Sequence, residues 1–241
     1  MRATVFIGIT LLAGIICGLI LGGTNLVVTE PFIDQAIDIE IQNAIVEGEN
    51  IGSIQEITKY RIWQKGGQVL AASILGLSLG SLFALVYAFA WPSIPGSNGI
   101  KKGLFLAAII WFTIFLIPFL KYPANPPTVG DPETIFYRQS LYLVFMAASG
   151  LGALVLAFLY KKLNNKKSRK FIVPVLYGAY ISAIFVMMPP NPDLITTPMD
   201  LINNFRIASA LTITLFWFLL GAIFGVLWDK FKPYRKVTSK L

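Results

Sequence analysis

The side chains with the clearest chemistry in this sequence are carboxylates and amides in its polar segments. Glu30, Asp34 and Asp38 recur every fourth residue, so a helix over this segment would place them on one face. Like charges at this spacing repel one another, and a divalent cation would relieve the repulsion because carboxylate oxygens suit hard cations. A solvated acidic face is the alternative. Of the three, Glu30 and Asp34 are our candidate metal ligands.

A second set of polar residues lies in two proline-rich segments, residues 123–132 and 189–198. The two segments repeat the pattern Pro-x-Asn-Pro with a further proline six residues later. The acids here could pair with Arg138 and Arg206, which follow the two segments, or bind a cation. The candidate ligands in and around this repeat are Asn125, Asp131, Glu133, Asn191 and Asp193.

The residues that are missing exclude several kinds of chemistry. The chain has no histidine, which removes serine–histidine and cysteine–histidine catalysis and the HExxH zinc site. It has no Walker A sequence, and no acid in the middle of an apolar run. Met187 and Met188 could bind a soft metal, with hydrophobic packing as the alternative. We therefore expect no enzyme and no permanently bound cofactor.

The elements that must position these residues are membrane helices. The chain of 241 residues is 56% hydrophobic and 13% charged, and a bilayer-spanning helix needs about 20 largely apolar residues. The sequence predicts one all-α polytopic membrane domain over residues 1–241. Its six predicted helices are approximately Thr4–Val28, Gln68–Trp91, Gly103–Leu120, Gln139–Tyr160, Phe171–Met188 and Ile207–Trp228.

The charges predict the orientation of these helices. Fourteen of the 20 Lys and Arg residues, but only one of the 12 acids, lie before the first run, between runs two and three, between runs four and five, and after run six. Cytoplasmic segments collect Lys and Arg. We therefore expect a multi-pass cell-membrane protein with both termini in the cytoplasm. The basic segments serve topology and headgroup contact, and we expect no nucleic-acid partner.

Small residues recur every fourth position in three of the runs, as in Gly14-x-x-x-Gly18 and Gly221-x-x-x-Gly225. Such stripes let helix backbones approach closely in lipid. They predict packing between helices of one chain, with a homo-oligomer joined through a stripe as the alternative.

The loops between the runs predict three helix hairpins. Thr29-Glu30-Pro31 is typical of a helix start and opens an amphipathic stretch, which Gly48, Gly52 and Ser53 would end. The proline-rich segments predict stiff, non-helical external loops, because residues before proline avoid the helical conformation. Arg61, Arg138 and Arg206 precede the three even-numbered runs. This pattern suggests three repeated hairpins, the first with a diverged loop.

Three segments resemble a known family. They are Phe119–Ile135 followed by Arg138, Met188–Asp193 together with Phe205-Arg206, and Glu30–Ile37 with Glu40. They are similar to the CbtA-type family of proposed cobalt transporter subunits, over most of the chain. The resemblance implies a membrane component of cobalt (Co²⁺) uptake with a small, single-span partner that carries histidines. Many members of the family carry histidines in their external loops, whereas this chain has none, so we expect the partner to capture the metal and this chain to form the path.

Two functions remain open on the sequence. The first is a subunit of a divalent-metal uptake system, with Co²⁺ as cargo. The alternative is a scaffold or accessory subunit that transports nothing. A lipid-modifying enzyme ranks last, because the sequence contains no catalytic constellation.

Overall fold

The computed structural model describes residues 2–46, 48, 51–127, 129–163, 166–192, 195 and 197–234, with side chains placed except in 51–58 and 166–169. These residues form helices and connecting segments without a strand. The helices are α1 (Ala3–Val28), α2 (Glu30–Val46), α3 (Ile51–Ala90), α4 (Gly99–Ile110), a π-helical segment (Trp111–Leu116), α5 (Ile117–Lys121), a 3₁₀ turn (Pro132–Thr134), α6 (Ile135–Lys162), α7 (Lys166–Met187) and α8 (Met199–Phe231).

Six helical stretches in the described residues are long and apolar enough to span a membrane, which confirms the predicted fold class. In chain order, the spans are Ala3–Val28, Lys59–Ala90, Gly99–Lys121, Pro132–Lys162, Lys170–Met187 and Met199–Phe231. Four of them are several residues longer than predicted, because polar residues continue the helices past the apolar runs. The three-hairpin repeat and the single domain over residues 1–241 remain predictions.

The segment between the first two spans is more helical than its glycines suggest. The acidic stretch forms α2 as predicted, and Thr29 alone separates it from α1. Pro31 has no amide hydrogen to donate to the preceding turn, which explains a break at this point. The prediction that Gly52 and Ser53 end the helical pattern was wrong, because both lie inside α3. Gly48 lies between helices with a φ of 82°.

The described chain forms two compact units. Unit 1 contains α1, α2, α3, α8 and all but the last two residues of α4. Its α1 packs against α3 along the predicted stripe of small residues. A methyl group added at Gly18 would lie 2.6 Å from the Ala72 carbonyl oxygen, and one at Gly14 would lie 2.8 Å from that of Gly76. These stripes are therefore filled by intramolecular packing.

A second close crossing in unit 1 joins α4 to α8. Gly99 and Gly103 face Gly225 and Gly221, so each pair brings two backbones together with no room for a Cβ atom. The Asp229 carboxylate accepts a 2.6 Å hydrogen bond from the amide of Gly99, at the first residue of α4. An anion at this position satisfies an unpaired amide and complements the helix dipole.

Unit 2 contains the end of the third span, the fourth span and the fifth span. Its buried core consists of Tyr122, Leu141, Phe145 and Ile181. Met188 packs against this core, whereas the Met187 side chain is 82% exposed. Packing therefore accounts for Met188, as the sequence alternative suggested.

Candidate functional site

Two predicted ligand residues, Glu30 and Asp34, lie in a cluster of charges in unit 1. Glu30 opens α2, and its side chain is 7% exposed. The Arg61 guanidinium, on α3 and 11% exposed, donates hydrogen bonds to the carboxylates of Glu30 and Asp34. Lys65 lies one turn further along α3 and donates to the other oxygen of Asp34 at 2.6 Å. Two acids thus meet two bases, and the four charges balance.

These contacts set the protonation of Asp34. Burial opposes its ionisation, but the hydrogen bonds and charges of Lys65 and Arg61 outweigh burial and hold the pKa of Asp34 below its usual value. Asp34 is therefore ionised at neutral pH. Asp38, the third acid of the series, is exposed. The sequence indicated that the acids share a helix face, but it did not identify Arg61 and Lys65 as their partners.

Polar atoms without a hydrogen-bond partner accompany this cluster. Among the described residues, Asn25 Oδ1, Gln68 Oε1 and Arg61 Nε are buried and unpaired. The α1–α3 crossing brings Gly22 to Val69, and the ion pair joins Glu30 to Arg61. Asn25 and Gln68 therefore lie between these two contacts, on facing helices. Unpaired buried polar groups are costly, at about 1–3 kcal/mol each.

In unit 2, the end of the first proline-rich segment, from Val129 onward, is held by the side chains of Asp131 and Arg138. Asp131 accepts a 2.8 Å hydrogen bond from the amide of Glu133 and so caps the 3₁₀ turn. Arg138 donates to the carbonyls of Val129 and Asp131 at 3.0 and 3.1 Å. Arg138 therefore binds the backbone of the segment. The carboxylates of Asp131 and Glu133 belong to exposed residues.

The third and fifth spans meet where the two proline-rich segments begin. The Tyr122 hydroxyl donates a 2.5 Å hydrogen bond to the carbonyl of Pro189, and Lys121 donates to that of Phe185 at 2.8 Å. Burial, with a smaller contribution from Tyr137, raises the pKa of Tyr122, so its phenol remains a donor. Unit 2 thus brings Tyr122, which precedes the first repeated segment, to Pro189, the first residue of the second.

The amide candidates lie close to this junction along the chain. Asn125 is half-buried and Asn191 is exposed, and both belong to stretches without helix. Asp193 lies outside the described residues. Across the described parts of the chain, no three acidic or cysteine side chains gather into a ligand set for a metal ion. The individual candidates are therefore distributed over several short segments.

Most hydroxyl groups at membrane depth bond within their own helix. Thr10, Thr24, Ser73 and Thr214 each donate to a carbonyl one turn earlier. Ser149 differs, because its hydroxyl contacts the Thr113 carbonyl of the third span and the Tyr177 hydroxyl of the fifth. Thr113 and Ser149 are polar residues within apolar runs, but nothing in the sequence indicates that they meet.

Comparison with known proteins places this architecture in a family. A family model described as probable cobalt transporter subunit (CbtA) matches residues 3–229, from the start of α1 to the last turn of α8. No curated protein and no solved structure matches the chain. The match covers all three segments that carried the resemblance in the sequence. The chain therefore belongs to the CbtA family of probable cobalt transporter subunits.

Proposed function

We propose that this chain forms the path, or the entrance to the path, by which Co²⁺ crosses the cell membrane. Membership of the CbtA family over residues 3–229 carries the proposal. The six apolar spans support it, since a transport subunit needs a multi-pass membrane body. Cobalt is the cargo here, and the proposal requires neither a resident cofactor nor a catalytic step.

The proposed orientation places both termini in the cytoplasm. An even number of spans returns the chain to the side from which it started. In unit 1, the Arg2 amide donates a 2.7 Å hydrogen bond to the carbonyl of Pro233, so the two ends of the described chain lie together. Lys102 and Lys230 belong to the same end of unit 1, close in sequence to the Gly99–Asp229 contact. Basic residues favour the cytoplasmic side.

At the external side, the proposed entrance is acidic. Its candidate residues are Asn125, Asp131, Glu133, Asn191 and Asp193. Acidic groups raise the local concentration of cations, and the Arg138–Val129 bond stiffens the segment that carries two of the acids. Glu30 and Asp34 are candidates of a second kind. Their carboxylates would bind a metal ion only if the ion displaced Arg61 and Lys65 as their partners.

The family description names a subunit, so a transport system with a further component follows from it. We propose that this component is a small, single-span protein that carries histidines. Imidazole is a common ligand for divalent transition metals, and this chain has no histidine of its own. In this arrangement the partner captures the metal and the present chain conducts it.

The experiment is cobalt accumulation in cells that express the full chain with its partner, measured beside nickel, zinc and manganese. Deletion of the chain should lower cobalt accumulation. The variant Asp131→Asn/Glu133→Gln/Asp193→Asn should also lower cobalt accumulation, but less than deletion does, because the entrance loses its charge. The control Asp38→Asn/Glu40→Gln removes two exposed acids of α2 and should have little effect.

Each result separates the alternatives. Unchanged accumulation in the triple variant, with normal accumulation in the wild type, would remove those acids from the mechanism. Unchanged accumulation of every metal after deletion would favour a scaffold or accessory subunit. In that case the chain should co-purify with a larger complex.

A further inference from the structure

The third span contains a backbone carbonyl, that of Thr113, whose donor in the helix register is missing. The segment Trp111–Leu116 is π-helical, a register in which an amide donates to the carbonyl five residues earlier, and the Ile117 amide follows it by donating to Phe112. The next pair in this register would be residue 118 and the Thr113 carbonyl. Residue 118 is a proline and has no amide hydrogen. The Thr113 carbonyl is therefore open to a partner from another helix.

Ser149 of the fourth span is that partner, and the chemistry of the groups fixes the direction of each bond. The Ser149 side chain is fully buried, and its hydroxyl donates to the Thr113 carbonyl. A carbonyl can only accept, and a serine hydroxyl has one proton. The 2.7 Å contact between Ser149 and Tyr177 must therefore be donated by Tyr177. The phenol proton of Tyr177 is thus committed to the fourth span.

Tyr180 repeats this arrangement one turn along α7. Its hydroxyl donates to the Ala148 carbonyl at 3.0 Å, next to Ser149. Its ring lies against Gly152, where an added Cβ would overlap the ring. Tyr177 and Tyr180 are three residues apart and so share a helix face. Packing and hydrogen bonding together fix the two phenol groups.

The two phenol oxygens can therefore only accept. Within the described part of the chain, no donor bonds to either oxygen. Tyr180 is 38% exposed and Tyr177 is half-buried, and both side chains belong to the fifth span. A pair of acceptors at membrane depth, with their protons held elsewhere, is suited to a strong hydrogen-bond donor.

We propose that the phenol oxygens of Tyr177 and Tyr180 form a binding step for a hydrated divalent cation, an inference that rests on the proposed function. The water molecules of such a cation are polarised and donate strong hydrogen bonds, and a small divalent cation keeps several of them. Neutral phenols hold the ion more weakly than carboxylates would. This suits a transit site, which must release its ion as well as bind it.

The test compares Tyr177→Phe, Tyr180→Phe and the double variant with wild type. The control is Tyr142→Phe, which removes a phenol hydroxyl from the fourth span outside this network. Two measurements are made on the full chain: the cobalt concentration at half-maximal uptake by cells with the partner, and equilibrium binding of radioactive Co²⁺ to the purified protein. The double variant should raise both the half-maximal cobalt concentration and the dissociation constant for Co²⁺ by at least about tenfold, because it removes two acceptors and the loss of one charge-assisted hydrogen bond alone is about a tenfold effect. The control should stay within about twofold of wild type.

The outcomes decide the inference separately from the proposed function. Suppose the double variant is expressed at the wild-type level. If its half-maximal cobalt concentration and its dissociation constant for Co²⁺ then equal those of wild type, the tyrosine step is overturned and the transport proposal stands. If the double-variant protein is not expressed, the single variants, which remove one hydroxyl each, give the same comparison. If deletion of the chain leaves uptake unchanged, the transport proposal fails. In that case the binding measurement alone tests the tyrosine site: weaker Co²⁺ binding in the double variant supports the site, and unchanged binding overturns it.

Discussion

Arg61 and Glu30 form an ion pair between the second span and the first turn of α2. The Glu30 side chain is 7% exposed and the Arg61 side chain 11% exposed, so each charge depends on the other for compensation. The same guanidinium also donates to Asp34 at 2.9 Å. These ion pairs hold α2 against α3. They determine how the cluster of Glu30, Asp34, Arg61 and Lys65 should respond to mutation.

We expect Arg61→Gln to destabilise the protein by about 3 kcal/mol, because it leaves Glu30 buried without a counter-charge. Chemical unfolding in detergent micelles measures the effect. The double variant Glu30→Gln/Arg61→Gln should lose less than the sum of the two single variants, since it removes both charges. Lys59→Gln removes an exposed cation from the same helix and serves as the control. Equal losses for Lys59→Gln and Arg61→Gln would contradict the prediction.

The cluster should also loosen in acid. The folded-state pKa of Asp34 lies below its usual value, so its contribution to stability is present above about pH 4 and is lost as the pH falls through the folded-state pKa. Thermal unfolding at a series of pH values from 7 to 3 measures this. Asp34→Asn should show a smaller decrease in Tm below pH 4 than wild type. A parallel decrease in the two proteins would show that Asp34 contributes nothing to the acid response.

The α4–α8 crossing should not tolerate a methyl group. Gly103→Ala would place a Cβ atom against the Gly221 carbonyl oxygen, so the helices must separate, at a cost of about 2 kcal/mol. At Gly23, in α1, an added Cβ meets nothing within 4 Å. Gly23→Ala is therefore the matched control, and it should leave stability unchanged or slightly higher. Unfolding in detergent compares the two, and similar stabilities would show that the crossing is loose.

The bond between Asp229 and Gly99 should stabilise the start of α4. Asp229→Asn removes a charge-assisted hydrogen bond and a favourable helix-dipole interaction, and we expect a loss of about 1.5 kcal/mol. Asp38→Asn removes an exposed carboxylate and should change stability by less than about 0.5 kcal/mol. Hydrogen exchange of the first amides of α4 gives a local readout. Unchanged exchange in Asp229→Asn would show that the carboxylate does not cap this helix.

The proposed orientation can be tested by labelling with a membrane-impermeant thiol reagent. The chain has one cysteine, the buried Cys17, which Cys17→Ser removes. In that background, Pro127→Cys should react in intact cells, because the proline-rich segment is proposed to be external. Ser97→Cys, in the connection between the second and third spans, should react only after permeabilisation. Both residues are exposed in the structure, so accessibility does not bias the comparison. The reverse pattern would invert the topology.

Local rules in the sequence account for much of this architecture. The six spans follow from apolar runs of sufficient length, since a chain in lipid must satisfy its backbone groups internally. The spacing of Glu30 and Asp34 predicted a shared helix face, and α2 provides it. The stripes of Gly14 and Gly18 predicted close helix packing, and α3 fills them. Each of these features depends on residues within a few turns of one another.

The partners of these residues depend on contacts between distant parts of the chain. Pro118 already implies in the sequence that a nearby carbonyl loses its amide donor, but only the packing of the spans supplies Ser149 to the Thr113 carbonyl. In the same way, Asp229 is an isolated acid in a basic segment until α8 crosses α4 and brings it to Gly99. Helix formation is governed by short-range hydrogen bonding and polarity, which residue order encodes directly. The choice of partner depends on how the whole set of helices packs, and packing is a property of the folded chain.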